Sequence, residues 1–105
     1  MACRVIADLT FKEGCCEKIR AMAEDEKNGL NLTANFEGCI DIDMSINMDN
    51  PTRMILTETW KEREHHSKYM ECKQTEGPEG VLAQILDNLS QEPAFSWAEV
   101  VYKGQ

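Results

Sequence analysis

The strongest pattern in the sequence is a strict alternation of apolar and polar side chains after Gly38. The apolar residues take every second position of this stretch: Ile40, Ile42, Met44, Ile46 and Met48. A period of two is typical of a β-strand with one buried face, because a helix would scatter these side chains around its circumference. The pattern therefore predicts a strand whose apolar face lies against the core.

Neighbouring segments predict the other strands of a sheet. Asp49-Asn50-Pro51 is typical of a turn. The short connection therefore predicts that Arg53–Trp60 pairs with the preceding strand as an antiparallel hairpin. Residues 3–11 alternate in the same way and predict a first strand, and residues 94–103 predict a last one.

Apolar residues at helical spacing mark the segments between these strands. A first amphipathic helix is predicted from Cys15 to near Gly29, a short polar helix over residues 61–72, and another helix over residues 81–89. This order predicts an α+β fold, a ferredoxin-like four-stranded antiparallel sheet with helices on one face. We expect residues 1–105 to form a single domain.

Helices on one side leave the other face of this sheet uncovered. Ile55, Ala98, Val100 and Tyr102, or the residues next to them, would be exposed there in a monomer. A large exposed apolar face usually binds a partner. The sequence therefore predicts a symmetric homodimer in which the two sheets face each other.

Charge and cysteine content limit the class of protein. Nineteen acidic and eleven basic side chains give a formal net charge of −8, which argues against nucleic acid and against anionic membrane surfaces as partners. No apolar run approaches the length of a membrane span. The five cysteines show no zinc-ligand spacing, so we expect no metal site, a cytoplasmic location and mostly buried thiols. A reactive thiol at Cys15 or Cys16, at a helix N-terminus, is the alternative.

Short motifs at the ends of the predicted strands resemble those of a known family. They are Phe11-Lys12-Glu13-Gly14, Phe36-Glu37-Gly38-Cys39 and Leu56-Thr57-Glu58-Thr59-Trp60. In these motifs and in the order of its elements, the chain resembles the antibiotic biosynthesis monooxygenase family. That resemblance implies a dimeric α/β barrel, a pocket between the helices and the sheet, and oxygenase chemistry without a cofactor.

Two branches of this family differ in their site residues. The heme-degrading members use an Asn, a Trp and a His. Trp60 matches the Trp, but this chain has Ala7 near the position of the Asn and Met70 near the position of the His. The resemblance therefore argues against heme degradation. Members similar to quinol monooxygenases often carry a His nine residues after the Trp, where this chain has Tyr69.

The adjacent histidines supply the candidate base. His65, Tyr69 and Cys72 share one face of the predicted helix, and His66 and Met70 lie on the neighbouring stripe. An imidazole titrates near neutrality, so His65 or His66 is the natural base, with Tyr69 as the third catalytic candidate. Only one of the two histidines can point inward, and a solvated helix surface is the alternative for both.

Large apolar side chains supply the candidate substrate contacts, which are Trp60, Met44, Met70 and Trp97. Packing in the core or at a dimer contact is the alternative for each of them. Glu58 projects from the same strand face as Trp60, and a carboxylate inside a sheet must be paired. We expect it to form a structural ion pair with Arg4 rather than to act as a base.

Two functional hypotheses follow. The first is a cofactor-independent monooxygenase that acts on a small apolar aromatic or quinol-type substrate, with a base that removes a phenolic proton in a dry pocket. The alternative is a non-catalytic dimeric protein that binds a small lipophilic ligand such as an acyl chain, which the Met-rich apolar positions favour.

Overall fold

The computed structural model describes residues 2–25, 29–75, 77 and 80–104. Its elements follow in the order β1 (Cys3–Thr10), α1 (Cys15–Ala23), α2 (Leu30–Ala34), β2 (Cys39–Ile46), β3 (Arg53–Trp60), α3 (Arg63–Gln74), α4 (Val81–Asp87) and β4 (Ala94–Glu99). The strands form one antiparallel sheet in the order β2-β3-β1-β4. The predicted ferredoxin-like α+β fold is confirmed.

The alternation of β1 separates the two faces of the sheet. Its odd-numbered residues are all buried and form the helix-covered face, and its even-numbered residues lie on the open face. Leu9 packs with Phe11, which directly follows β1, with Met54 of β3 and with Cys16 and Ile19 of α1 in one hydrophobic cluster. The core therefore lies between the sheet and the helices, as the sequence pattern predicts.

A β-bulge changes the face assignment in β2. Cys39 pairs with Trp60, whereas Asp41 already pairs with Thr59, so the register shifts between Cys39 and Asp41. Ile40 is 48% exposed as a result. The expected five-residue apolar face is therefore reduced to Ile42, Met44 and Ile46, because the strand also ends before Met48, which is 99% exposed.

Two of the predicted helices and the last strand are shorter than the sequence predicts, and the helix predicted over residues 61–72 lies two residues later, at Arg63–Gln74. The first helix ends at Ala23 instead of near Gly29, and the additional helix α2 follows. Residues 26–28 of the predicted helix lie outside the described residues. Strand β4 ends at Glu99, and the chain then continues without regular structure as far as Gly104.

The open face of the sheet combines charged and apolar side chains. Arg53 donates to the Asp8 carboxylate at 2.9 Å, and Ile55 lies half-buried between polar neighbours. The segment after β4 returns toward β2, because Lys103 Nζ lies 3.8 Å from the Asp41 carboxylate. Tyr102 in this segment is 86% exposed. Among the described residues, no helix is long and apolar enough to cross a membrane.

Candidate functional site

A cavity of about 80 Å³ lies between the helix-covered face of the sheet and the four helices. Most of its lining is apolar and includes four methionines: Met22, Met44, Met54 and Met70. Its polar side chains are few: Thr33, Glu58, His66, Tyr69 and Lys73. A polar group in such a space keeps few water contacts, so its protonation state depends mainly on its protein neighbours.

Glu58 is the buried acid of this cavity. In β3 its side chain is 12% exposed, and its Oε1 accepts a hydrogen bond from Trp60 Nε1 at 3.0 Å. The Trp60 indole can reach it because both residues lie on the same face of one strand, two positions apart. Burial raises the pKa of Glu58 above its usual value, and the hydrogen bond from Trp60 opposes that rise.

His66 lies beside this carboxylate on α3. Its side chain is 7% exposed, and its Nε2 is 3.9 Å from Glu58 Oε1. Trp97 Nε1 donates to His66 Nδ1 at 3.3 Å. Because an indole N–H is a donor only, Nδ1 must be the unprotonated nitrogen, and the proton of the neutral ring is then on Nε2. Burial, with a smaller effect of the Arg63 charge, lowers the pKa of His66.

Tyr69 closes the same end of the cavity one turn further along α3. Its hydroxyl lies 2.6 Å from Thr33 Oγ1, so a buried hydrogen bond joins α3 to α2. Its ring lies 5.2 Å from the Trp60 ring and 5.2 Å from the Phe36 ring, measured between centroids. These contacts fix the Tyr69 hydroxyl at the cavity wall and leave the phenol little rotational freedom.

The structure brings four of the seven predicted site residues to the cavity wall: His66, Tyr69, Met44 and Met70. Trp60 is fully buried and contacts the rings of His66 and Tyr69, so it supports the wall from behind. Trp97 lies at the edge of the sheet, 42% exposed, where it contacts His66 from outside.

His65 is not among the residues that line the cavity. It packs against Gly38, where a Cβ atom would lie 2.2 Å from His65 Cγ. The inward face of α3 is formed by His66 and Tyr69, its two buried residues, and not by the predicted pair of His65 and Tyr69. Spacing alone left the choice between the histidines open, and the structure places His66 inward.

The expected ion pair between Glu58 and Arg4 is wrong. Arg4 pairs with Thr59 in the sheet, so its side chain lies on the open face, where its guanidinium contacts Thr59 Oγ1 at 3.3 Å. Glu58 faces the helices, opposite Val5. Sequence reasoning thus undervalued Glu58. Its shared parity with Trp60 was visible in the sequence, but the complete burial of Trp60 was not.

A second, open space lies outside the His66 side chain. This groove has a volume of about 350 Å³ and is lined by Arg63, His66, Ser67, Met70, Glu71, Gln74 and Trp97. The Arg63 guanidinium lies 5.2 Å from the centroid of the Trp97 ring. His66 and Met70 line both the cavity and the groove, so these two side chains separate the internal space from the surface.

Burial disfavours the thiolate at two of the cysteines. Cys16, the buried candidate for a reactive thiol, has its pKa raised by burial and by the neighbouring Glu17, which disfavours the thiolate. Cys39 is affected in the same way, and its pKa rises to about 11. No group of three or more potential metal ligands is found within the part of the chain that the structure describes.

Comparison with known proteins defines the family. The family model described as antibiotic biosynthesis monooxygenase matches residues 3–74, and no curated protein matches the sequence. Among solved structures, a protein from Nitrosomonas europaea described as an antibiotic biosynthesis monooxygenase superimposes with a TM-score of 0.82. It has 16% identity, with 96% of this chain and 91% of that chain covered.

Two further structures have the same fold. A conserved protein from Methanosarcina mazei superimposes with a TM-score of 0.79 and has 18% identity, with 93% of this chain and 91% of that chain covered. The protein Rv0793 from Mycobacterium tuberculosis superimposes with a TM-score of 0.80 at 16% identity, and each chain is covered completely. At these identities the likeness concerns the fold alone.

Proposed function

The chain belongs to the antibiotic biosynthesis monooxygenase family, and on that premise we propose that it is a monooxygenase that needs no cofactor. Its substrate is a small apolar aromatic molecule of the quinol or phenol type. The observation that carries the proposal is the apolar cavity with three ionisable groups, Glu58, His66 and Tyr69, close together in its wall. Such a space excludes water while offering a group that can remove a phenolic proton.

The proposed reaction uses dioxygen as its only other reactant. A hydroquinone and dioxygen give a hydroxyquinone and water: one oxygen atom enters the ring, the other leaves as water, and the substrate supplies all the electrons. Removal of a phenolic proton starts the reaction, because a phenolate gives up an electron to dioxygen more readily than a phenol. An apolar cavity helps this electron transfer, because a phenolate without surrounding water is less stabilised and gives up an electron more readily.

The cavity is too small for an aromatic ring as it stands, so side chains of its lining must move when a substrate enters. Its volume of about 80 Å³ is smaller than the ~150 Å³ of a buried cavity known to accept benzene. Met44 and Met70 line it, and unbranched thioether side chains change rotamer easily. We therefore expect an aromatic ring to displace these side chains as it binds.

Oxygen consumption tests the proposal directly. The purified protein is incubated with a panel of hydroquinones and polycyclic phenols under oxygen-18, and oxygen uptake and product mass are measured together. We expect one labelled atom in the product and one molecule of dioxygen consumed per substrate. Equal rates with and without protein for every compound in the panel would contradict the proposal.

A second candidate function is the non-catalytic binding of a small lipophilic ligand such as an acyl chain. The four methionines of the lining favour it, because they form an adaptable apolar wall. Native mass spectrometry of the purified protein separates the two functions. A bound aliphatic ligand together with no oxygen uptake supports the binding function, and labelled product supports the enzyme.

The proposal includes a homodimer that buries the open face of each sheet, in a reducing compartment such as the cytoplasm. Exposed apolar groups next to that face support the dimer, in particular Ala98 and Tyr102. All five cysteines are free thiols, which suits a reducing compartment. Light scattering after gel filtration should give twice the 12.0 kDa mass of the chain, and a stable monomer at micromolar concentration would contradict the dimer.

A further inference from the structure

We propose that Glu58, and not either histidine, is the catalytic base that takes the phenolic proton of the substrate. This inference rests on the proposed function and assigns the proton acceptor at the same site. Sequence reasoning favours an imidazole for this role. The structure favours the carboxylate because of its hydrogen bonds and its position.

Glu58 has an acceptor oxygen available at the cavity wall. Its carboxylate lines the cavity, and among the described residues it accepts one hydrogen bond, from Trp60 Nε1 to Oε1. Two carboxylate oxygens offer about four lone-pair sites, so one indole donor leaves acceptor capacity unused. A phenolic hydroxyl in the cavity is the kind of donor that this capacity suits.

His66 lacks a free acceptor toward the cavity. Its Nδ1 accepts the Trp97 indole N–H, and the proton of the neutral ring is therefore on Nε2, the atom that faces Glu58. A ring with this tautomer presents an N–H toward the carboxylate, 3.9 Å away and beyond hydrogen-bond length, and has no unprotonated nitrogen on that side to accept a proton. Arg63, which lowers the His66 pKa further, also disfavours the imidazolium.

The charged and titratable groups around Glu58 come from α3 and β2. His66 faces it from α3, with Tyr69, Lys73 and Arg63 on the same helix. Cys39 faces it from β2, where the Glu58 charge contributes to the raised thiol pKa. Trp60 contributes its N–H from β3 itself. Because burial raises the Glu58 pKa above 4.5, the bound proton is held more strongly than by an exposed glutamate.

The proton balance closes within one turnover. The phenolic O–H bond breaks and its proton forms the O–H bond of the Glu58 carboxylic acid. The phenolate then supplies electrons to dioxygen, a C–O bond forms, and the O–O bond breaks. The inner oxygen stays on the ring carbon, and the C–H bond at that carbon breaks. The outer oxygen takes this hydrogen as a proton and leaves as hydroxide. The Glu58 acid protonates that hydroxide to water, and the carboxylate is restored.

The test combines three variants with a matched control. Glu58→Gln removes the base but keeps the acceptor for Trp60, and Glu64→Gln repeats the same change at an exposed position of α3. His66→Gln tests the competing base. Trp60→Phe removes the hydrogen bond that lowers the Glu58 pKa. Circular dichroism and urea unfolding confirm that each variant is folded before it is compared.

Turnover gives the first measurement. We expect Glu58→Gln to lower kcat at least ~100-fold, the usual contribution of a general base, and His66→Gln to lower it much less. The wild-type rate should rise with pH as Glu58 ionises, and Trp60→Phe should move that rise to higher pH. A Glu58→Gln variant with the rate of Glu64→Gln, or an unmoved profile in Trp60→Phe, would overturn the assignment.

A coloured phenol gives a second measurement that does not require oxygenation. Bound 4-nitrophenol should show the phenolate spectrum in the wild type and in His66→Gln, and the phenol spectrum in Glu58→Gln, at a pH below its solution pKa. Ionised probe without oxygen uptake contradicts the proposed function alone. Oxygen uptake that survives in Glu58→Gln contradicts the base assignment alone, and so does a probe that binds the wild type but stays neutral. A probe that does not bind the wild type contradicts the proposed function, because that function needs a cavity that accepts phenols.

Discussion

A substitution at Gly38 should show that His65 packs tightly against the backbone at this position. Gly38 has φ +91°, and a Cβ added there would lie 2.2 Å from Cγ, 2.4 Å from Cδ2 and 2.5 Å from Cβ of His65. Because one of these atoms is the His65 Cβ itself, rotation of the imidazole cannot remove the overlap. Gly38→Ala therefore combines backbone strain with steric conflict.

Both contributions can be given a magnitude. A left-handed conformation costs a non-glycine residue about 1–2 kcal/mol, and overpacking of this kind costs about 1–3 kcal/mol. We expect Gly38→Ala to lower the free energy of unfolding by about 2–5 kcal/mol, which is much of the stability of a small domain. Gly14→Ala is the matched control, because Gly14 has φ +81° and nothing lies within 4 Å of its added Cβ. It should cost only the backbone part.

A double-mutant cycle in urea then isolates the contact with His65. His65→Gly removes all three nearby atoms, and His65→Ala removes the two ring atoms and keeps Cβ. Gly38→Ala should cost about 1–2 kcal/mol in the His65→Gly background, with partial relief in His65→Ala. Equal losses for Gly38→Ala and Gly14→Ala, or a loss in Gly38→Ala that His65→Gly does not relieve, would refute the steric argument.

Three further predictions concern the hydrogen bonds and charges of the molecule. Thr33→Val should lower the free energy of unfolding by about 0.5–1.5 kcal/mol, because it removes the 2.6 Å hydrogen bond to the Tyr69 hydroxyl. Tyr69→Phe should then lower the unfolding free energy less in the Thr33→Val background than in the wild type. Additive losses in urea unfolding would contradict the hydrogen bond. Glu58→Gln should stabilise the fold at neutral pH. The native Glu58 pKa lies above the ordinary 4.5, so the wild-type unfolding free energy falls as pH rises from that value through the raised pKa; urea midpoints from about pH 4 to pH 8 should show this fall in the wild type and less of it in the variant. Asp8→Asn should reduce the loss of unfolding free energy at acidic pH. The hydrogen bond from Arg53 lowers the Asp8 pKa below 3.8, so the stabilisation by the Asp8 carboxylate is present above that value and is lost as pH falls through the lowered pKa. An equal loss in wild type and variant at low salt would contradict this effect.

The strands were predictable because their alternation reflects burial directly. Strand β3 covers Arg53–Trp60, the range that the sequence predicts, and the buried residues of β1 are those of one parity. A five-residue helix such as α2 spans little more than one helical turn, which is too short to show a period. The bulge in β2 was equally invisible, since an extra residue leaves the apolar alternation of the sequence intact.

The site was predictable only in part, because it depends on strand register and on helix rotation. A shift of one residue reverses the face of a side chain, and this is why Arg4 was wrongly expected to meet Glu58 when it is opposite Thr59. The rotation of α3 that buries His66 in place of His65 depends on packing against Trp60 and Gly38, both distant along the sequence. Tyr69 was predicted from the helix face that it shares with His65, and its bond to Thr33 required the unpredicted α2.

The bulge between Cys39 and Asp41 has a consequence for comparing relatives of this chain. It places Cys39 and Ile42 on the same face although three positions separate them. Deleting Ile40 would restore regular pairing without reversing any cavity-facing residue of β2. Homologues can therefore gain or lose one residue here and keep the same cavity lining, so sequence alignments should allow a gap at position 40. The number of residues between Glu37-Gly38-Cys39 and Glu58-Thr59-Trp60 is then a poor criterion for recognising remote members of the family.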